Sequence, residues 1–299
     1  MEFFEMLKKV SPTAVKDEDM KKHTSFKIGG TADYMTLPES PEEIKSIIEL
    51  CKERKVPYVI IGNGSNLLVS DKGIEGVVIK ISSGMSEMKV YGEVIHAGAG
   101  VLLSTLSKKA LEHGLTGLEF ASGIPGTLGG AVVMNAGAYG GEMKDVLEKI
   151  GYLDAEGNIC EMVNENASMG YRTSIFSDSE LIVLYCTVRL RKGDKEEISA
   201  TMNELNAKRR EKQPLSLPSA GSTFKRPEGY FAAKLIEDAG LKGFTMGGAA
   251  VSEKHSGFVV NIGDATAEDV RKLMSHVKKT VYEKFDVSLE PEVKFLGRM

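Results

Sequence analysis

No tryptophan occurs in the 299 residues, and only three cysteines do, at positions 51, 160 and 186. An odd number of widely spaced thiols builds neither a disulfide framework nor a CxxC metal pair, so Cys51, Cys160 and Cys186 read as reduced packing or surface residues. The five histidines, His23, His96, His113, His255 and His276, stand at no metal-ligand spacing, and no metal is expected. No apolar run approaches the roughly 18 residues that cross a bilayer. The start MEFFEMLKKVSPTAV lacks the basic head, apolar stretch and cleavage site of a leader. A cytoplasmic protein without membrane insertion is expected. Positive charge is also not in excess: 38 Lys and Arg against 42 Asp and Glu leave a formal charge of -4. With no basic block to neutralise a phosphate backbone, nucleic acid is not an expected partner. Internal repeats and low-complexity tracts are missing too.

What is present suffices for a sizeable core, with 42% hydrophobic residues and length for two or three domains. Ser40-Pro41-Glu42-Glu43 supplies a cap, a proline at the first helical position and an early acid. Ile44, Ile47, Ile48 and Cys51 then repeat at helical spacing. YVII (58–61) and Val77 to Ile81 read as strands around a glycine turn. Beyond residue 82 the pattern changes to short strands near Val94 to Ala97, a helix over Leu102 to Glu112, and a glycine-rich run. LIVLYCTVRL (181–190) reads as a buried strand, preceded by a hairpin at DAEGN (154–158). A domain boundary is placed before the helical segment Glu196 to Gln213, whose expected apolar face is Ile198, Met202 and Leu205. A helix at 231–239, the strand FVVNI (258–262) and a helix from Thr266 complete an alternating α+β or α/β pattern.

Two glycine loops carry the chemistry. In VIIGNGSNLLVS (59–70), Leu67 stands where a Rossmann fingerprint needs its third glycine, and no Walker loop occurs anywhere. Gly62, Asn63, Gly64, Ser65 and Asn66 are left either as a plain turn between strands or as an anion-binding nest of backbone amides. The second loop, with Gly123, Gly126, Gly129, Gly130, Gly137, Gly140 and Gly141 inside 21 residues, is denser than a turn requires. Each glycine in regular structure costs up to about 1 kcal/mol against alanine. Close backbone approach to a large, flat, phosphate-bearing ligand of dinucleotide size accounts for both loops together.

Six ordered motifs then carry a resemblance over nearly the whole chain: HTSFKIGG (23–30), IGNGSNLLV (61–69), SGIPGTLGGAVVMNAGAYGG (122–141), YRTSIF (171–176), AGSTFKRP (220–227) and EPEVKFLG (290–297). Together they resemble the UDP-N-acetylenolpyruvoylglucosamine reductase family. The resemblance implies an α+β protein with a two-part FAD-binding module of the vanillyl-alcohol-oxidase (PCMH) type and a C-terminal α+β substrate-binding domain. The expected divisions are 1–82 and 83–195 for the two FAD subdomains and 196–299 for the substrate domain. It implies noncovalent FAD, NADPH as hydride donor, a UDP-sugar substrate, a monomer, and a cytoplasmic step of peptidoglycan precursor synthesis serving cell-wall biogenesis, shape and division. His23 precedes the first motif and is read as structural rather than as a flavin tether. No long insertion separates residues 172 and 222, so the chain is similar to the shorter, second type of the family.

By this resemblance the FAD-binding residues are Gly62, Asn63, Gly64, Ser65 and Asn66 at the pyrophosphate, with Ser122, Gly123, Ile124, Pro125, Gly126, Gly129, Gly130, Asn135 and Gly137 lining the flavin. Arg172 is the implied carboxylate and enolate stabiliser, suited by its planar guanidinium. Ser222 is the implied proton donor, and Glu292 the implied partner near the same carboxylate. Tyr171, Lys212 and Arg226 are implied in substrate binding, Lys212 toward the diphosphate; Arg226 stands where some members carry asparagine. A different oxidase or dehydrogenase on the same module is the competing enzyme reading, and a nucleotide-binding regulatory module the non-enzymatic one. GSTFKRP and EPEVKF speak against the first, and Arg172, Ser222 and Glu292 against the second.

Overall fold

The computed structural model describes residues 2–298, and the chain divides into two compact units. One comprises Met1–Val15, Tyr34–Asn63 and Val77–Arg209, the other Lys16–Asp33, Gly64–Gly76 and Arg210–Met299. The chain therefore passes between them several times, once inside the first glycine loop.

In the first unit, Ser40 caps the helix Pro41–Arg54 by accepting from the Glu43 amide at 3.1 Å, and Lys55 ends it in the left-handed region. Its Ile44, Ile47, Ile48 and Cys51 are buried, as their spacing requires. The helix feeds the strand Tyr58–Ile61, which pairs parallel with the C-terminal part of Ile74–Lys80, Tyr58 opposite Val77 and Ile61 opposite Lys80. Beside this lies a five-stranded antiparallel sheet in the order Ile159–Val163, Leu147–Leu153, Ile182–Arg189, Val94–Gly98, Met88–Tyr91. The hairpin at DAEGN is closed by Asp154, whose Oδ1 accepts the Asn158 amide at 2.7 Å. Ile182–Arg189 is the central strand, and Val183, Leu184, Cys186 and Val188 are buried. Burial pushes the Cys51 thiol up to about 12 and raises that of Cys186 further, which keeps both as inert packing groups. The helix Lys195–Lys212 departs from its expected face: Ile198 is buried, but Met202 and Leu205 are only partly covered.

The second unit is built on the helix Ala267–Phe285, with Val270, Leu273, Met274, Val277 and Val281 all buried against Phe26, Ile28 and Leu68 and the small sheet Thr245–Met246, Ala249–Val251, Val259–Asn261. Thr266 and Asp269 form a capping box at its start. A carboxylate from far away in sequence adds to it: Asp71 accepts the amides of Ala267 (2.8 Å) and Glu268 (3.1 Å). Replacing Asp71 by alanine is expected to cost about 1 kcal/mol, the usual value of a cap at a helix start. The loss should appear as a lower urea midpoint with unchanged m-value. The strand Lys294–Leu296 pairs parallel with Leu67–Val69, so the first glycine loop is followed by a strand and not by the helix a Rossmann turn would start.

Candidate active site

The two glycine loops meet within the first unit. Asn63 Nδ2 donates to the Pro125 carbonyl at 2.6 Å. A Cβ on Gly62 would overlap Thr127 Oγ1. That hydroxyl is buried and has no hydrogen-bond partner. The missing side chain at Gly62 and the unsatisfied hydroxyl at Thr127 mark a place where backbone approaches a polar side chain whose hydroxyl is still to be met. An unsatisfied buried hydroxyl costs free energy unless a bound group completes it.

The rest of the second loop sorts into several physical roles. Gly129 lets the helix Leu128–Val133 lie on the backbone of residues 99–101, where the Leu128 and Gly129 amides donate to Val101 (2.7 Å) and Ala99 (2.9 Å). Ser122 Oγ donates to the Glu119 carbonyl (2.9 Å) and accepts from Asn206 Nδ2 (3.2 Å). Gly123 faces Asn206 and Arg209, and a Cβ there would lie 2.6 Å from Asn206 Oδ1 and 3.0 Å from Arg209 Cδ. Ile124, Pro125 and Gly126 complete the turn before the helix Leu128–Val133, Pro125 exposed and the other two half-buried, and Gly130 is exposed on the helix itself. Asn135 is fully buried with a positive φ of 42°. It donates to Glu142 Oε2 (3.1 Å) and Gly170 O (2.9 Å) and accepts the Lys144 amide (3.0 Å), so its amide group is largely satisfied by the protein itself.

Asn135 thereby ties the glycine loop to the turn that carries Arg172. Gly170 and Thr173 bridge across that turn, and Arg172 sits at φ 56°, a conformation rare for a non-glycine residue and concentrated at functional sites. Arg172 Nη2 donates to the Gly137 carbonyl at 3.1 Å, and the guanidinium lies 5.1 Å from the centre of the Tyr171 ring. Glu142 is close by. Its carboxyl is held below the usual range chiefly by the Lys144 ammonium at 2.7 Å, with smaller contributions from Asn135 and the charge of Arg172.

In the second unit the structure brings together three stretches that are far apart in sequence. Gly221 takes φ 79° and hands the chain to Ser222, which is half-buried. The Thr223 amide donates to the Gly257 carbonyl (2.8 Å), and Thr223 Oγ1 accepts the Val259 amide (2.8 Å). On the other side Glu292 donates its amide to Thr223 O (2.9 Å) and Lys225 its amide to Glu290 O (2.9 Å), with Phe224 and Pro291 bridged. Ser222 and Glu292 thus stand on adjacent, hydrogen-bonded segments. Asn66, the last residue of the first glycine loop, joins the same ladder: its Nδ2 donates to Glu292 O (3.0 Å), and its carbonyl accepts the Lys294 amide (3.0 Å). Gly64, at φ 65°, has no room for a Cβ, which would overlap the His23 carbonyl, and Ser25 donates its amide to Gly64 O at 3.3 Å. Ser65 lies between them, half-buried. His23 Nε2 is paired with Glu18 Oε1 at 3.0 Å.

Arg226 stacks over Phe231, 4.7 Å from the ring centre, and Lys212 is exposed at the end of its helix. Arg172 belongs to the first unit, and Ser222, Glu292, Lys212 and Arg226 belong to the second. Three residues of the site were not singled out from sequence. Thr127 lies inside the second glycine loop but gave no signal beyond a polar residue before a helix. Asn206 and Arg209 belong to a helix whose charged end resembles any solvated surface, and only tertiary packing puts them against Gly123. Arg209 is half-buried there, which pushes its guanidinium down from its ordinary pKa, with a small opposing effect from Tyr139. Among the described residues no group of three or more metal-ligating side chains occurs, and no helix is long and apolar enough to cross a membrane.

A glycine cradle with an unsatisfied hydroxyl in the first unit, and in the second a ladder bearing a serine and a carboxylate, define the class: a nucleotide-cofactor protein with a separate reactive segment. Residues 32–162 match the FAD binding domain profile, which makes the chain a flavoprotein with a fold of the PCMH type. Residues 213–296 match the C-terminal domain of UDP-N-acetylenolpyruvoylglucosamine reductase. The chain is 57% identical to the UDP-N-acetylenolpyruvoylglucosamine reductase of Caldanaerobacter subterraneus subsp. tengcongensis over 94% of this chain and 93% of that one. With the enzyme of the same name from Alkaliphilus oremlandii it shares 55% identity, over 98% and 97% of the two chains. The solved structure of the Thermus caldophilus reductase superimposes with a TM-score of 0.81 at 37% identity, covering 95% of this chain and 98% of that one. The chain belongs to the UDP-N-acetylenolpyruvoylglucosamine reductase family, and is an oxidoreductase.

The cradle fits the cofactor. Gly62 and Gly123 are places where a side chain would strike neighbouring atoms, and Thr127 offers a hydroxyl in need of a partner. With the turn 124–126, exposed at Pro125, these groups suit a pyrophosphate and a flat ring system.

Proposed function

We propose that the protein reduces the enolpyruvyl ether of UDP-N-acetylenolpyruvoylglucosamine to the lactyl ether of UDP-N-acetylmuramate with NADPH as the reductant (EC 1.3.1.98), a cytoplasmic step of peptidoglycan precursor synthesis. The observation that carries this reading is the ladder that sets Ser222 beside Glu292 within the matched C-terminal segment. Residues 1–82 and 83–195 are assigned to FAD binding and 196–299 to the substrate, the matched FAD segment lying across the first two and the C-terminal match inside the third. The chain acts as a monomer of the shorter type.

When bound, FAD supplies the hydride, taken from NADPH, to the terminal carbon of the enolpyruvyl group. Gly62, Asn63, Gly64, Ser65, Asn66 and Thr127 hold its pyrophosphate, and Ser122 to Gly126, Gly129, Gly130 and Gly137 border the ring system. Asn135 serves the cofactor indirectly, by tying the second loop to the Arg172 turn. The negative charge that develops on the neighbouring carbon spreads into the carboxylate, and Arg172 stabilises it there, preset by its bond to Gly137 O and its fixed left-handed backbone. Glu292 works at the same carboxylate, where it assists Arg172. Ser222 Oγ gives its proton to the charged carbon, so that hydride and proton together saturate the double bond. Tyr171 borders the sugar, Lys212 takes the diphosphate and Arg226 the nucleotide end.

Anaerobic stopped-flow spectroscopy tests the reading. NADPH is expected to bleach the flavin absorbance, and the enolpyruvyl substrate to restore it; failure of that substrate to restore the colour defeats the assignment.

A further inference from the structure

We propose that His255 is a positioning residue for Ser222. In its neutral form, with the ring proton on Nε2, it holds the turn 255–257 whose carbonyl anchors the residue next to the proton donor. This rests on the assignment of Ser222 above and extends it to a residue outside the family motifs quoted from the sequence.

The connection is a short chain of hydrogen bonds. Gly257 donates its amide to His255 Nδ1 at 3.2 Å, and the Gly257 carbonyl accepts the Thr223 amide at 2.8 Å. Thr223 is covalently next to Ser222 and accepts the Glu292 amide on its other edge. Movement of the 255–257 turn is therefore passed to both reactive segments. The ring has little freedom to move alone. A Cβ on Gly257 would lie 3.0 Å from His255 Cε1 and 3.1 Å from Nδ1, so the imidazole is pressed onto that backbone. Phe258 meets it edge-on at 5.0 Å, and Ser252 Oγ accepts the amides of Lys254 (3.1 Å) and His255 (3.3 Å) to close the turn.

An Nδ1 that accepts an amide proton cannot carry one itself, so the neutral ring is the Nε2-H tautomer. Protonation turns Nδ1 into a donor facing a donor and breaks the bond to Gly257. Burial pushes the imidazole below its ordinary pKa, opposed in part by its own residue's backbone and by the charge of Glu237 on the helix Ala232–Asp238. Glu253 and Lys254 are the charged residues next to it on the same turn. Lys254 Nζ donates to Arg210 O at 2.6 Å, and Glu237 is paired with Lys242 at 3.2 Å. The neutral form thus holds the turn at neutral pH and is lost only below the usual histidine range.

The test separates the two half-reactions of the holoenzyme. Wild type is expected to show an acid limb in the rate of flavin reoxidation by the enolpyruvyl substrate that is absent from its reduction by NADPH. His255→Asn, whose Oδ1 can replace Nδ1 as acceptor but does not titrate, is expected to keep the neutral-pH rate and lose the limb. His255→Ala is expected to slow reoxidation at least about tenfold, since misplacing a reacting group by an ångström costs up to about 100-fold, with reduction by NADPH unchanged. An acid limb retained in His255→Asn, or equal losses in both half-reactions of His255→Ala, overturns the proposal. Independently of turnover, the side-chain nitrogen spectrum should show Nδ1 as the unprotonated nitrogen at neutral pH; a protonated Nδ1 overturns it as well. Wild-type enzyme that is not reoxidised by this substrate at all would instead defeat the functional assignment, leaving the tautomer measurement to judge His255.

Discussion

Ser222→Ala is expected to leave flavin reduction by NADPH within about twofold of wild type and to slow reoxidation by the enolpyruvyl substrate by about 100- to 10 000-fold, the usual contribution of a positioned general acid. The separation is predicted because Ser222 sits in the second unit beside Glu292, on a ladder held by backbone bonds from Thr223 to Gly257 and from Glu292 to Thr223. None of those bonds uses the serine hydroxyl, so its removal leaves the ladder standing. A proton donor whose loss slowed both half-reactions equally would be a scaffold residue, and the role assigned to Ser222 would fall. Stopped-flow traces of the flavin absorbance read both rates in one preparation, which makes the comparison internal.

Gly62→Ala should release the cofactor. Gly62 keeps a backbone conformation open to any residue, so the obstacle is steric: the new methyl group overlaps Thr127 Oγ1. Overpacking of this kind costs about 1–3 kcal/mol, which weakens FAD binding by about 5- to 150-fold if the cradle gives way. Purified Gly62→Ala is expected to be pale and to regain colour only with excess FAD, measured by flavin fluorescence. The double variant Gly62→Ala with Thr127→Ala separates the cause. Without the hydroxyl the nearest Thr127 atom is its Cβ at 3.6 Å, an ordinary contact. Its FAD affinity should return to that of Thr127→Ala alone, a non-additivity that two independent defects would not show. Simple addition of the two losses would mean that the loops do not press on each other.

Local patterns identified many of the elements. The Ser40-Pro41 cap, the 3.6-residue spacing of Val270, Leu273, Met274, Val277 and Val281, the apolar run before Arg189 and the turn at DAEGN each appear as expected, because each depends on contacts within a few residues or on one buried face. The helix Lys195–Lys212 shows the limit of that reasoning. Its Met202 and Leu205 look like a core stripe, yet they stay half-covered, while Asn206 and Arg209 turn toward Gly123. A helical period predicts which residues share a face, not what the face meets.

By itself the sequence determined the family, the absence of a Rossmann turn at Leu67, and the residue types in both glycine loops. These follow from ordered motifs and from steric rules that act within a single turn. Only the tertiary structure decided that Gly62 exists to admit Thr127, that Asn135 is bonded to Glu142, Gly170 and Lys144, and that Asp71 caps a helix whose first residue lies 196 positions on. It alone set Ser222, Glu292 and Asn66 on one ladder and put His255 behind it. Those are contacts between segments with no shared periodicity. Their geometry is set by how sheets and loops pack, a quantity that no local pattern encodes.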